Sequence, residues 1–309
     1  MTVTPAEVAT WCSCNLGSTP AKVHWTRGHL STVIALQLAD GRDVVVKARP
    51  DSPRLGMCHV VHGILWHRGF PCPEPLTLLS PLGDEMANAE AYMPGGRPGR
   101  HEDPWLAAET AKELCRLIAM CPPVDQLPTL APPPPWTGWI DPRADPWPPP
   151  DEGPSLSHHP ATQHLVPLAR SLNEMLRASN LPLVVGHSDW YQGNLRWEDG
   201  KLFAADDWDS IAALPEAAFA GCSAVLHLPA PAGRDPGYPS AGVDETARFL
   251  HLYGEARGRH LSPEELRVAW GAGLWLRVFD AAKFLAAGSP DKAAYQIRDV
   301  VELRRLAGI

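Results

Sequence analysis

The sequence predicts an α+β fold in two lobes, a small β-rich one followed by a larger, mainly helical one. Three observations predict it. Val- and Ile-rich runs of strand length crowd the first 93 residues. Beyond residue 94 most apolar residues recur at helical spacing. The strand-like runs of this second part bracket one polar loop, "VVGHSDWYQGNLRW" at 184–197. At 309 residues, 45% of them hydrophobic and 20% charged, the chain is long enough to bury a sizeable core.

Each element has a local reason. "TPAEVATW" opens a helix, with Thr4 as N-cap, Pro5 at the first helical position and Glu7 at the third. "STVIALQLA" and "RDVVVKAR", joined by Asp40-Gly41, read as a hairpin. "SPRLGMCHVVHGILWHRG" carries Leu55, Val60, Ile64 and Leu65 at helical spacing and stops at Gly69, before "FPCPEP". "LTLLSP" and "MANAEAYM" are further strands, and "PGG" at 94–96 marks a hinge. An N-terminal lobe is therefore expected over 1–93 and a C-terminal lobe over 94–309. Asp103 and Pro104 cap and open the helix "PWLAAETAKELCRLIAM". "TQHLVPLARSLNEMLRAS", "VDETARFLHLYGEARG" and "SPEELRVAWGAGLWLRVFDAAKFLAAG", the last behind a Ser262–Glu265 capping box, continue the helical lobe.

Residues 121–160 are the compositional exception, holding 14 of the 34 prolines and three tryptophans, which excludes regular helix over most of the stretch. One reading is a polyproline linker. The other is an ordered insert, because Trp136, Trp139 and Trp147 are costly to leave in water and normally pack or bind something.

Charge and cysteine usage exclude several classes. A net charge of −8 argues against nucleic acid and anionic membrane surfaces as partners. The N-terminus "MTVTPAEVATWCSC" shows no secretory signal, and the apolar run from Ile211 to Leu228 is broken by Pro215 and Glu216, so no membrane span is expected. Seven scattered cysteines without a C-x-x-C pair suit a reducing cytoplasm rather than a zinc or disulfide framework.

The polar loop carries the chemistry. His187-x-Asp189-x₄-Asn194 has the spacing of the kinase catalytic loop, and thirteen residues after Asn194 a second acidic element, "LFAADDWDS", presents Asp206, Asp207 and Asp209. A hairpin between them, with Asp199-Gly200 at its tip, returns its ends to one place, so Asn194 and Asp207 should be neighbours. Their amide and carboxylate oxygens suit Mg²⁺ on a nucleoside triphosphate. Asp189 would accept or orient the acceptor hydroxyl's proton, and His187 would brace the loop. Asp206 is expected on the opposite face to Asp207 by strand alternation. Upstream, Lys47 closes "VVVKAR" where a nucleotide-binding lobe places its phosphate lysine. Gly28 and Ser31 of "TRGHLST" occupy the turn before that hairpin, where backbone N–H groups could approach phosphates.

With these residues in view, the chain resembles the aminoglycoside phosphotransferase and choline kinase-like family, which shares the two-lobed protein kinase-like fold. "RGHLSTVIAL", "VVVKAR", "GFPCPEPL", "EAYMPGG", "GHSDWYQGNLRW" and "DDWDS" occur in the family's order. The resemblance implies a kinase with ATP or GTP as donor, Mg²⁺ as cofactor and a hydroxylated small molecule as acceptor. It makes Asp189 the catalytic aspartate, Asn194 and Asp207 the Mg²⁺ ligands and Lys47 the α/β-phosphate contact. Glu90, Ala91, Tyr92 and Met93 become the hinge that reads the base through its backbone. Two departures stand out. Between Lys47 and Glu74 the only acidic residue is Asp51, with Cys58 or His59 near the place of the usual helix glutamate, so either another partner holds Lys47 or its role is reduced. Ser188 replaces the glycine between His and Asp.

Three readings compete: a small-molecule O-phosphotransferase, a non-catalytic nucleotide-binding regulator, and a metal-dependent hydrolase. One histidine near the aspartates is too few for the third, and the joint presence of Asp189, Asn194 and Asp207 speaks against the second. An antibiotic acceptor, aminoglycoside or nucleoside-like, is the leading expectation, with choline, a sugar or an amino-acid derivative as the alternative. The Pro/Trp-rich segment is expected to lie ordered against the C-terminal lobe, flank the acceptor pocket and offer its rings to a cyclic substrate.

Overall fold

The computed structural model describes residues 3–28, 31–141, 143–148, 155–229 and 241–309. Helix α1 (Pro5–Leu16) begins with the expected capping box: Thr4 Oγ1 accepts from Glu7 N–H, while the Glu7 carboxylate accepts from Thr4 N–H at 2.7 Å. A five-stranded antiparallel sheet follows, in the order β1–β2–β3–β5–β4, built from β1 (Pro20–Gly28), β2 (Thr32–Leu38), β3 (Asp43–Arg49), β4 (Ser80–Leu82) and β5 (Glu85–Ala91). Strand β1 was not expected. As an edge strand it is solvated along most of its length and carries no alternation to read. The strand expected at "LTLLSP" is also shorter, since only Ser80 and Pro81 of that run belong to β4.

Period-2 alternation gives the sheet two unlike faces. Val44, Val46 and Ala48 of β3 and Ala87 and Ala89 of β5 pack with Val8, Trp11 and Leu16 of α1 in a core of their own. Val45, Lys47, Arg49, Asn88 and Glu90 alternate with them and take the opposite face. Helix α2 (Leu55–His67) contributes Cys58, Val61 and Leu65 to the second, larger core, so it joins the sheet to the helical lobe.

That lobe comprises α3 (Leu106–Met120), α4 (Val166–Arg177), α5 (Glu216–Leu226), α6 (Val243–Ala256), α7 (Pro263–Ala286), α8 (Pro290–Gln296) and α9 (Val300–Ala307), with β6 (Leu183–His187), β7 (Leu195–Glu198), β8 (Lys201–Ala205) and β9 (Ile211–Pro215). Asp103 does not cap α3. Its carboxylate instead receives Arg97 at 2.7 Å and Arg100 N–H at 2.8 Å, and the helix starts at Leu106. The apolar run from Ile211 is β9 followed by α5, which is buried from Ala217 to Leu226. Burial on every side erases the periodicity that would reveal such a helix. At Gly221 a Cβ would lie 2.0 Å from Ala269 O, so only glycine lets α5 and α7 touch backbone to backbone.

The Pro/Trp-rich insert packs as a folded part of this lobe over its described residues. Trp139 and Trp147 are 1% and 2% exposed and stand edge-on to Trp275 at 5.0 and 5.9 Å. Asn173 Nδ2 donates to Pro146 O at 2.8 Å, and Arg177 Nη2 donates to Asp141 O at 2.6 Å. These contacts correct part of the expectation: both rings are committed to the core and cannot stack on a substrate. Trp136 differs. Half-buried, it donates its indole N–H to Ser188 Oγ at 2.9 Å, one residue from Asp189. Among the described residues no helix is long and apolar enough to cross a membrane.

Candidate active site

Strand β6 delivers His187 to the end of the polar loop, and the β7–β8 hairpin closes it. The hairpin turns through Asp199 and Gly200, both with positive φ (49° and 73°), as its two-residue D-G tip requires. Leu195 pairs with Ala205, and Asp206 N–H then donates to Asn194 O at 2.9 Å. That hydrogen bond brings the end of the loop and the start of the acidic element together. His187 ties them again. Its Nδ1 accepts from Asp189 N–H at 3.2 Å, so the ring proton sits on Nε2, which donates to Asp206 O at 3.1 Å. Burial pushes the His187 pKa down to about 4, which keeps the ring neutral in this bridging role.

Asn194 Nδ2 donates to both the Asp189 main-chain oxygen and its Oδ2, each at 2.9 Å. Because both partners only accept, the amide nitrogen must face Asp189 and Oδ1 must face away. Burial pushes the Asp189 pKa up to about 6, against the Asn194 hydrogen bond that pulls it down. Asp280 and Lys283 of α7 lie close enough to act on Asp189 with opposite signs, and they pair with each other at 2.5 Å.

Asp207 has φ 65°, a left-handed backbone that costs a non-glycine residue about 1–3 kcal/mol. This turn overturns the expectation for Asp206. Strand β8 ends at Ala205, so alternation no longer applies, and both aspartates line the same cleft. Asp206 is held there by Arg196 at 3.0 Å, whose guanidinium also donates to Met93 O at 2.5 Å and Gly95 O at 2.7 Å. Burial and the neighbouring Asp209 carboxylate raise the Asp207 pKa well above the usual range.

The cleft, about 490 Å³, runs between the sheet and this loop. Lys47, Glu90, Ala91, Tyr92 and Met93 line it from the sheet side, and Asn194, Arg196, Asp206 and Asp207 from the other. Strand β1 contributes Trp25 and Arg27. Gly28 closes β1 opposite Thr32 and Ser31 immediately precedes β2, but neither lines the cleft; residues 29 and 30 of that turn lie outside the described residues.

Glu90 departs most from its expected part. Its side chain, 3% exposed, meets Lys47 Nζ at 2.8 Å and so occupies the role the missing helix glutamate left open. From α2, His62 lies 3.8 Å from Glu90. Burial alone would lower the Lys47 pKa, but the carboxylates of Glu90, Asp206 and Asp207 outweigh it and the net shift is upward. Of the remaining hinge positions, Ala91 N–H is spent on Glu74 O and Tyr92 N–H on Asp43 O, while Met93 N–H carries no hydrogen bond among the described residues. A signal for Glu90 was present in the sequence: Asn88 and Glu90, two positions apart inside "MANAEAYM", are polar residues on one face of an otherwise apolar strand.

No protein-family model matches the chain, and no curated protein matches it. Solved structures do. An amicoumacin kinase in complex with AMP-PNP, Ca²⁺ and its antibiotic superposes with a TM-score of 0.67 at 13% identity, over 93% of this chain and 89% of that one. A spectinomycin phosphotransferase bound to ADP and spectinomycin gives 0.59 at 11% identity over 100% and 94%, and a Plasmodium vivax ethanolamine kinase 0.56 at 11% over 92% and 83%. The chain therefore has the two-lobed kinase-like fold these enzymes share.

Proposed function

We propose that this chain is an O-phosphotransferase moving the γ-phosphate of a magnesium-bound nucleoside triphosphate to a hydroxyl of a small molecule. One observation carries the reading: Asn194 and Asp207 line the floor of a cleft whose roof holds the Lys47–Glu90 pair, and Asn194 Nδ2 holds the Asp189 carboxylate behind it at 2.9 Å. Residues 1–93 would form the nucleotide lobe and 94–309 the acceptor lobe. Lys47, fixed by Glu90, meets the phosphates, and the 90–93 segment offers Met93 N–H to the base. ATP fits this role, as does GTP. Asp189, positioned by Asn194 and by His187 through its backbone, accepts the acceptor hydroxyl's proton as the oxygen attacks phosphorus.

The residues present fit a hard divalent cation. Asn194 Oδ1 and the Asp207 carboxylate are oxygen donors of the type Mg²⁺ takes alongside phosphate and water. Burial and the close Asp209 carboxylate together raise the Asp207 pKa, and of the two aspartates only Asp209 has an ion-pair partner among the described residues, Arg49 at 3.3 Å. When bound, Mg²⁺ neutralises charge on the triphosphate. Asp207→Ala should weaken magnesium-nucleotide binding by about 100-fold or more and abolish transfer. Asp206→Ala, which loses the Arg196 brace on Met93, should cost only a few-fold. Calorimetric titration of both variants checks this, and equal losses would mean that Asp206 also binds the ion.

An antibiotic acceptor is favoured by the two neighbours named for amicoumacin and spectinomycin, and the ethanolamine kinase keeps a metabolite acceptor as the second reading. A coupled nucleotide-turnover screen with ATP and GTP, against a panel of antibiotics and hydroxylated metabolites, separates the two. Turnover with none of them would remove the phosphotransferase reading. The insert supplies a further contrast. Trp136→Ala should raise acceptor KM and spare nucleotide KM, because this ring stands beside the Asp189 loop. Trp139→Ala and Trp147→Ala should instead cost about 3–5 kcal/mol of stability, read by denaturant unfolding. An unchanged acceptor KM in Trp136→Ala would take that ring out of the acceptor site.

A further inference from the structure

Lys47 and Arg49 stand two positions apart on β3 and therefore share the cleft face of the sheet. Each reaches diagonally to a polar residue on β5: Lys47 to Glu90, and Arg49 Nη2 to Asn88 Oδ1 at 2.9 Å. Arg49 is only 8% exposed, and its Nε lies 3.3 Å from Asp209 Oδ2, in the turn that follows β8. Arg54, just before α2 and also 8% exposed, holds the same turn by its backbone. One of its nitrogens donates to Asp209 O at 2.5 Å and the other to Ile211 O. The turn these arginines grip begins at Asp207, whose left-handed backbone is locked locally by Ser210 N–H on Asp207 O at 3.1 Å and Ser210 Oγ on Asp207 Oδ2 at 3.2 Å.

We infer that Arg49 is a positioning residue for the Asp207–Ile211 turn, tying the Asp207 carboxylate to the strand that carries Lys47. The inference rests on the reading of Asp207 and Lys47 above. One rigid strand then sets both charged contacts of the phosphate chain in register. The bond to Asn88 preserves the aim of the guanidinium, which lysine cannot copy because its single ammonium lacks the planar fork. Arg54 supports the backbone of the turn, whereas Arg49 alone, among the described residues, joins the Asp209 side chain to the sheet.

The test has two arms. In the nucleotide-free protein, hydrogen exchange over 206–212 should accelerate about tenfold in Arg49→Met, on the order expected when one partly buried ion pair is lost, while β2 and β3 amides keep their wild-type rates. With nucleotide, Arg49→Met should lose about tenfold of the affinity gained on adding Mg²⁺, change metal-free affinity by less than about twofold, and be partly rescued by Arg49→Lys. The Arg49→Met/Asp209→Asn double variant should lose no more than its worse single, since both substitutions cut one link. Wild-type exchange over 206–212, or additive losses in the double variant, would overturn the inference. Should Arg49→Met not fold, Arg49→Lys carries the exchange measurement, because it still leaves Asn88 or Asp209 unserved. If the wild-type protein gains no nucleotide affinity from Mg²⁺, the phosphotransferase reading fails instead, and the exchange arm alone decides the role of Arg49.

Discussion

Asp189→Asn is expected to fold like the wild-type protein and to lose about 10²–10⁴ of its kcat, the range that a positioned general base contributes. Asparagine keeps the shape of the side chain and can still meet Asn194, so the loop, with its His187 brace and its Asp206–Asn194 closure, has no reason to move. What disappears is the one acceptor placed for the hydroxyl proton. Nucleotide affinity should change little, because the proposed contact is to the acceptor and not to the phosphates. Steady-state kinetics with the acceptor found by the panel, together with a nucleotide titration, give the two numbers. Turnover near the wild-type value would remove Asp189 from the role.

Glu90→Ala should destabilise the protein as much as losing a core tryptophan does. Lys47 and Glu90 form a pair whose members are 8% and 3% exposed, and removing one partner strands a buried ammonium at a cost of about 3–5 kcal/mol. That is a large fraction of the total stability of an ordinary domain. Replacing both residues, as Lys47→Met/Glu90→Met, should recover most of the loss, because two apolar side chains of similar volume need no mutual charge. The double variant should nevertheless bind nucleotide poorly, having lost the cation that meets the phosphates. Denaturant unfolding of the single and double variants, beside a nucleotide titration of the double, separates the structural part of the pair from its functional part. A single variant within about 1 kcal/mol of wild type would show that Lys47 finds another carboxylate, Asp206 or Asp207 being the nearest in charge.

Local chemistry was legible wherever the signal is local. The Thr4–Glu7 and Ser262–Glu265 capping boxes, the Asp40-Gly41 and Asp199-Gly200 turns and the alternation of "RDVVVKAR" each depend on residues within a few positions of one another, and each element formed where the spacing placed it. The proximity of Asn194 and Asp207 was legible for the same reason, since a two-residue turn leaves a hairpin no freedom over where its ends meet. Edge strand β1 and the wholly buried α5 were not legible, one lacking a buried face and the other lacking an exposed one.

The sequence by itself determined the two-lobed α+β architecture and the set of oxygen-bearing side chains on one loop and one hairpin. Tertiary structure alone decided their partners. Glu90 holds Lys47 from a neighbouring strand instead of from α2, Arg49 pairs with Asp209 of the turn after β8, and Trp139 and Trp147 fill the core while Trp136 reaches Ser188. Asp206 stays on the side of the cleft because the chain turns left-handed at Asp207 just after the strand ends. The physical reason is the range of the forces involved. Caps, turns and alternation are set by backbone geometry over a few residues, whereas a buried charge takes whichever opposite charge the packed elements bring within about 4 Å, however far away it lies in sequence.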